Sequence, residues 1–236
     1  MIGDRIARQS EAMGLTLDEK ALKRFEKYYE MLLAGNEKMN LTTVLDPDEA
    51  VDRHFMDCLA PVKLGLLPEN AKLVDIGTGA GFPGLPLLIA RPDLKVTLVD
   101  ALNKRLGFIR EVLDALELDA KLVHLRAEDF SHKPEYREQF DVAAARAVAG
   151  LSPLMEYLLP SVRRGGFALC WKGPGVEQEI AEARKAIFLL GGKAREPVGY
   201  EIPGRDWAHN LLAVDKVSGT PKTYPRKAGT PSRNPL

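Results

Sequence analysis

From Lys72 onward, short apolar runs alternate with longer segments of helical period. A chain that repeats this alternation has one economical fold, βα units laid around a mostly parallel sheet. Strands are predicted near 72–76, 95–100, 121–125, 141–146 and 166–172. Helices are predicted near 84–91, 102–117, 151–164 and 176–190. The last two apolar runs, 196–202 and 209–216, have no helix between them, which predicts an antiparallel finish to the sheet. The expected fold class is therefore α/β, a Rossmann-like sheet.

The flanking regions differ in character. Thr16 with Glu19 three residues later has the form of a capping box, and Leu22, Phe25, Tyr29, Leu32 and Leu33 continue it at helical spacing over 17–34. Asp46, Pro47 and Glu49 make a second start signal ahead of an apolar stripe through Val51, Phe55, Cys58 and Leu59. Residues 1–70 thus read as an N-terminal helical cap, 71–217 as the sheet domain and 218–236 as a tail. After Asp215 the chain carries five basic residues (Lys216, Lys222, Arg226, Lys227 and Arg233) and no acidic one, among prolines that predict a non-helical segment. Overall charge is balanced, at 33 basic and 33 acidic residues, so any contact with a polyanion has to come from such a local cluster. No apolar run is long enough to cross a bilayer and the N-terminus lacks the layout of a secretion signal, so a cytoplasmic location is expected. Cys58 and Cys170 are too few for a disulfide framework, and no Cys/His spacing suggests a metal site.

The most specific stretch is Val74-Asp75-Ile76-Gly77-Thr78-Gly79-Ala80-Gly81-Phe82-Pro83-Gly84, between the first strand and the next helix. Glycines there let the backbone turn tightly and approach a ligand at the carboxyl end of a central strand. Asp100 ends the second strand, where a carboxylate can accept hydrogen bonds from both hydroxyls of a ribose. Gly79-x-Gly81-x-x-Gly84 also satisfies the dinucleotide pattern, so an NAD-dependent dehydrogenase competes with an S-adenosylmethionine enzyme. Asp75, placed to meet the amino-acid moiety of a sulfonium cofactor and to repel a pyrophosphate, favours S-adenosylmethionine. The turn Arg126-Ala127-Glu128-Asp129-Phe130, after the third strand, is placed to meet the adenine edge.

At the end of the fourth strand, where the transferred methyl would lie, stands Arg146. It reads either as a substrate-side group or as a buried partner of Asp75 or Glu128. The Asn-Pro-Pro-Tyr pattern of exocyclic amine methylation is missing there, as is the Pro-Cys nucleophile of pyrimidine carbon-5 methylation. A substrate atom that is already nucleophilic needs only orientation and a preorganised field. Nitrogen 7 of guanine is such an atom.

On these residues the chain resembles the RsmG (GidB) methyltransferases. The resemblance rests on Asn40-Leu41-Thr42, His54-Phe55-Met56-Asp57-Cys58-Leu59, the loop from Gly77 to Gly84, Arg146-Ala147, Lys172-Gly173, and Tyr224-Pro225-Arg226-Lys227-Ala228-Gly229-Thr230-Pro231. Met56 and Cys58 stand where Leu and Ser are expected. The resemblance implies a class I methyltransferase fold and methylation of nitrogen 7 of a guanine in 16S ribosomal RNA or a small-subunit precursor; separately, a monomer that uses no metal is expected. It implies cofactor contacts at Gly77, Phe82, Ala127, Glu128 and Arg146, beside Asp75, Gly79 and Asp100 read from the loop. Arg146, His54, Asp57 and Lys172 are the catalytic candidates. His54 and Asp57, three apart, read equally as a hydrogen-bonded pair on a helix surface. Lys222, Tyr224, Arg226, Lys227 and Arg233 are the RNA-binding candidates, with Tyr224 offering a ring for a base to stack on. A non-catalytic adaptor for ribosomal RNA remains a further alternative.

Overall fold

The computed structural model describes residues 2–236. In chain order the elements are α1 (Ile2–Ala12), α2 (Glu19–Met39), α3 (Pro47–Ala50), a π-helical stretch (Val51–Met56) and α4 (Asp57–Lys63). They are followed by β1 (Lys72–Ile76), α5 (Gly84–Ala90), β2 (Lys95–Asp100), α6 (Asn103–Leu116), β3 (Lys121–His124), α7 (Ala127–Phe130), β4 (Phe140–Ala145) and α8 (Leu151–Leu158). The chain ends with β5 (Val162–Lys172), α9 (Val176–Glu182), α10 (Arg184–Leu189), β6 (Gly192–Ala194), β7 (Val198–Tyr200), β8 (His209–Lys216) and α11 (Thr230–Arg233). The strand order is β3-β2-β1-β4-β5-β8-β6, with β7 also paired to β8. Strands β1 to β5 pair in parallel, and β8 runs antiparallel to β5, β6 and β7. The order reverses between β1 and β4, which opens a crevice at their carboxyl ends.

The sheet residues alternate between two apolar layers. Leu73, Leu98, Val142 and Ala144 face a layer that contains Phe25, Leu32, Phe55, Leu85 and Ile109. Val74, Ile76, Ala143 and Ala145 face a second layer with Leu154, Leu158 and Ile187. Because α1, α2 and α4 bury their apolar stripes in the first layer, the helical cap and the sheet share one core. The tail lies on the other face, where Tyr224 and Leu236 pack against the second layer.

Several local expectations are adjusted. Asp18, not Thr16, caps α2, because its carboxylate accepts the Ala21 N–H at 2.7 Å. The second start signal holds: Asp46 Oδ1 accepts the N–H groups of Asp48 and Glu49, both at 3.0 Å. Helix α1 and strand β6 were not anticipated. The tail does form one helical turn, α11, with Pro231 in its first turn where a missing N–H costs nothing. The stripe from Val51 to Leu59 passes through a π-helical stretch, in which the Asp57 N–H reaches back to the Asp52 carbonyl. That i to i+5 step stacks Asp52 and Asp57 on one side of the segment. Among the described residues no helix is long and apolar enough to cross a membrane, and no group of three or more His, Cys, Asp or Glu could hold a metal ion.

The cap is fastened to the glycine loop by one buried hydrogen bond, from the Tyr28 hydroxyl to the Ala80 carbonyl at 2.7 Å. Tyr28→Phe leaves that carbonyl without its partner in a dry site. The expected cost is about 1–3 kcal/mol of unfolding free energy, read from urea titrations. Coincident titrations for the two proteins would show that the bond contributes nothing.

Candidate active site

Two concave lobes open at the carboxyl edge of the sheet. One, of about 420 Å³, lies over β2 and α7 and is walled by Asp100, Ala127 and Glu128 among others. The second, of about 410 Å³, lies under the cap and is walled by Thr42, His54, Asp57, Phe82 and His209 among others. Gly77, Arg146 and Ala147 line both, so the lobes meet at the ends of β1 and β4.

The glycine loop makes this possible. Gly79 sits at φ +61° with open space where a Cβ would stand, so its backbone is bare toward the cleft. Gly84 serves a different need. A Cβ there would come within 2.3 Å of Leu98 and 2.9 Å of the Asp75 carboxylate, so only glycine lets α5 sit this close to the sheet. Asp75 Oδ2 accepts the Thr78 hydroxyl at 2.6 Å and the Gly84 N–H at 2.9 Å. Asp75 is wholly buried and lines neither lobe. Its expected place beside a ligand is therefore corrected: it braces the loop from behind. Burial pushes its carboxyl up to about 6, against the Thr78 and Gly84 hydrogen bonds, and its Oδ1 has no partner.

Asp100 lines the lobe over β2 and α7. Its Oδ2 accepts the Gly79 N–H at 3.0 Å and its Oδ1 the Leu102 N–H at 2.8 Å, so the loop and the carboxylate fix each other. Glu128 stands across the same lobe, with one oxygen accepting the Gly229 N–H at 2.7 Å. An adenosine group fits this lobe by the chemistry of its walls, since two carboxylates can accept from ribose hydroxyls and an exocyclic amine while the bare backbone at Gly79 leaves room for the chain beyond.

Arg146 pairs with neither Asp75 nor Glu128. Its Nη1 donates to Asp57 Oδ2 at 2.8 Å and to the Arg53 carbonyl, and its guanidinium lies 5.3 Å from the Phe82 ring centre. Asp57 Oδ1 accepts from the Tyr200 hydroxyl and meets His209 Nδ1 at 2.9 Å. Burial opposes the charge on Asp57, yet the hydrogen bonds from His209, Arg146 and Tyr200 outweigh it and hold the carboxyl below its ordinary range. The π-helical geometry turns His54 and Asp57 inward, so they are not a surface pair. His54 stacks on Phe82 at 4.6 Å, and its Nε2 lies 3.0 Å from the Thr42 hydroxyl and 3.2 Å from the Val44 carbonyl. Burial and the nearby Arg146 charge press its pKa down to about 4.

The remaining candidates are distributed differently. Lys172 lines neither lobe: it is buried against Glu179 at 2.7 Å, so its charge is spent within the fold. Arg226 is likewise committed, in a two-pronged pair with the wholly buried Glu156 at 2.7 and 3.0 Å. Tyr224 is half-buried against the core, which corrects its expected role as an open stacking ring. Lys222, Lys227 and Arg233 are exposed. His209 and Tyr200 were missed. The signal was available in the antiparallel finish, because a strand running against its neighbours begins at the carboxyl edge, where His209 opens β8.

Comparison with known proteins bears on this site. Residues 21–203 match the GidB family, described as rRNA small subunit methyltransferase G. The ribosomal RNA small subunit methyltransferase G of Leuconostoc mesenteroides is 48% identical over 226 residues, covering 94% of this chain and 94% of that protein. Its counterpart from Alkaliphilus metalliredigens is 44% identical over 227 residues, covering 96% and 95%. Among solved structures, the YcgJ protein from Bacillus subtilis aligns with a TM-score of 0.54 at 13% identity, over 70% of this chain and 100% of that one. TrmN from Thermus thermophilus aligns with a TM-score of 0.52 at 20% identity, over 71% and 53%. These two show the shared fold.

The buried histidine has a pH signature. Unfolded, His54 takes up a proton near its ordinary 6.5; folded, only near 4. Between those values the unfolded chain binds more protons, so this contribution to stability is lost as pH falls. Asp75 acts oppositely, because its folded pKa of about 6 exceeds the ordinary 3.8 and stability is gained as pH falls through that window. His54→Gln removes the first effect alone. The stability difference between the parent and the variant is therefore expected to shrink by about 3 kcal/mol from pH 7 to pH 4 in urea titrations. A difference that does not vary with pH would show that His54 titrates normally.

Proposed function

The chain belongs to the GidB family of rRNA small subunit methyltransferase G proteins, and from that membership we propose that it moves a methyl group from S-adenosylmethionine to nitrogen 7 of a guanine in 16S ribosomal RNA. The observation that carries the reading is the pair of lobes joined at Gly77, Arg146 and Ala147. One is furnished with carboxylates for an adenosine, the other is open under the cap for a base. S-adenosylmethionine, when bound, supplies an electrophilic methyl on a sulfonium. Asp100 accepts from the ribose hydroxyls, Glu128 and the Ala127 backbone meet the adenine edge, and Gly77 and Gly79 admit the methionine portion. Arg146 and Phe82 stand where the lobes meet.

What the second lobe lacks supports nitrogen 7 as the substrate atom. Asp57 already accepts from three side chains, and a His54 pKa pressed down to about 4 makes its imidazole a weak base, so neither is poised to take a proton. Nitrogen 7 of guanine needs no deprotonation, because its in-plane lone pair attacks directly. The product ring is cationic, and an unpaired Arg146 would oppose its formation; Asp57 offsets that charge at 2.8 Å. A duplex hides nitrogen 7 in a deep groove, so the base has to be presented from a loop or a splayed segment. Lys222, Lys227 and Arg233 supply phosphate contacts from the tail. A ribosomal RNA substrate implies a cytoplasmic site of action. The dehydrogenase and adaptor readings are not favoured, since the curated relatives are methyltransferases by name along nearly their whole length.

Asp100→Ala is expected to weaken S-adenosylmethionine binding by about 1.5–3 kcal/mol in calorimetry. Unchanged affinity would reject the adenosine lobe as the cofactor site. For the substrate atom, small-subunit RNA methylated by the enzyme is reduced and treated with aniline, and strand scission is expected at one guanine. RNA that has gained a methyl but resists scission would place the reaction on another atom.

A further inference from the structure

The C-terminal tail is rich in base and proline and holds no acid after Asp215, the composition of an independent solvated arm. Its contacts are of another kind. Arg137 donates to the carbonyls of Thr220 at 2.8 Å and Tyr224 at 3.0 Å, and His132 Nε2 lies 2.7 Å from the Pro225 carbonyl. Glu156, wholly buried on α8, accepts the Arg226 backbone N–H at 2.6 Å and both prongs of its guanidinium. A buried carboxylate satisfied this fully fixes both the path and the direction of the chain that leaves it.

What that anchored chain reaches next is the adenosine lobe. Gly229 and Ser232 line it together with Asp100, Ala127 and Glu128. The Gly229 N–H holds one oxygen of Glu128 at 2.7 Å, and the Ser232 hydroxyl is 2.8 Å from that of Tyr157, which lines the same lobe. Gly229 sits at φ +79°, a conformation that brings its N–H to the carboxylate and that side-chain-bearing residues seldom adopt.

We propose that residues 229–232 of the tail are part of the cofactor site, forming the outer wall of the adenosine lobe and positioning Glu128 through the Gly229 N–H. This rests on the assignment of that lobe to S-adenosylmethionine. The wall leaves Glu128 one oxygen for the ligand and shields the carboxylate from water, which strengthens whatever hydrogen bond it makes. The Arg226–Glu156 pair is the anchor that keeps the wall in place, and the tail's exposed cations lie on the same strap.

The test uses two forms of the full protein's cofactor site. A chain ending at Lys227 lacks residues 228–236 but keeps Arg226 on Glu156. Gly229→Pro keeps the whole tail but removes the N–H and the positive φ. Calorimetry with S-adenosylmethionine and with adenosine alone is expected to show dissociation constants raised roughly tenfold for both ligands in both forms, the scale of a hydrogen bond to a charged group. In turnover of Gly229→Pro, which keeps Arg233, KM for the cofactor rises by the same factor while kcat at saturating cofactor stays within about twofold, a split that loss of folding would not produce. Parent-like affinity of either folded form for both ligands, with Asp100→Ala still impaired, overturns the role of the tail and leaves the lobe assignment standing. If the shortened chain does not fold, Gly229→Pro alone decides by the same criterion. A full chain that does not bind S-adenosylmethionine overturns the assignment and the wall together.

Discussion

Asp57 is the buried charge on which the geometry of the cleft depends. It sits at the start of α4 and receives Arg146 from the end of β4, Tyr200 from the end of β7 and His209 from the start of β8. Its backbone carbonyl takes the Trp171 indole N–H at 2.8 Å. Four segments distant in sequence are thus held by one residue. A carboxylate in a dry site is costly unless every lone pair is used, and here two of the donors that satisfy it, Arg146 and His209, also wall the lobe under the cap. The same interaction keeps Arg146 from acting as a bare cation.

One turn away, Asp52 is a second buried anchor, with both of its arginine contacts on Oδ2 and no partner for Oδ1. It is wholly buried and accepts from Arg5 of α1 at 2.9 Å and from Arg205 at 2.7 Å. The π-helical step stacks the two carboxylates, so the connection between β7 and β8 is gripped at Arg205 by one and at its flanking residues Tyr200 and His209 by the other. A regular α-helix would place residues five apart about 140° apart around its axis and part these two anchors.

The two faces of the sheet contribute to the cleft by comparable means. On one face the cap brings His54, Asp57 and the Tyr28 clasp to the glycine loop. On the other the tail, held at Glu156, brings Gly229 to Glu128 and Ser232 to Tyr157. Each is a peripheral segment that shares the core and ends on a buried, fully partnered acid. Neither behaves as an appendage, and both complete lobes that the sheet alone would leave open.

The parallel sheet, the loop from Gly77 to Gly84, Asp100 at the end of β2 and the N-cap at Asp46 were legible in the sequence, because each is a local pattern in which residue type and spacing determine conformation directly. Which charges face the ligand was not legible. Asp75 was read as a ligand-facing acid but lies behind the loop, Lys172 and Arg226 have their charges taken by Glu179 and Glu156, and His209 enters the site from the last strand of the sheet. A π-helical stretch leaves no mark in residue spacing, so the inward turn of His54 and Asp57 could not be seen either. Ionic partners are chosen by proximity across the fold, and proximity between residues 57 and 209 or 128 and 229 is set by sheet order and packing. The sequence therefore determined the scaffold and the pocket loop, and tertiary structure alone decided which acids and bases would neutralise one another and which would remain for the substrate.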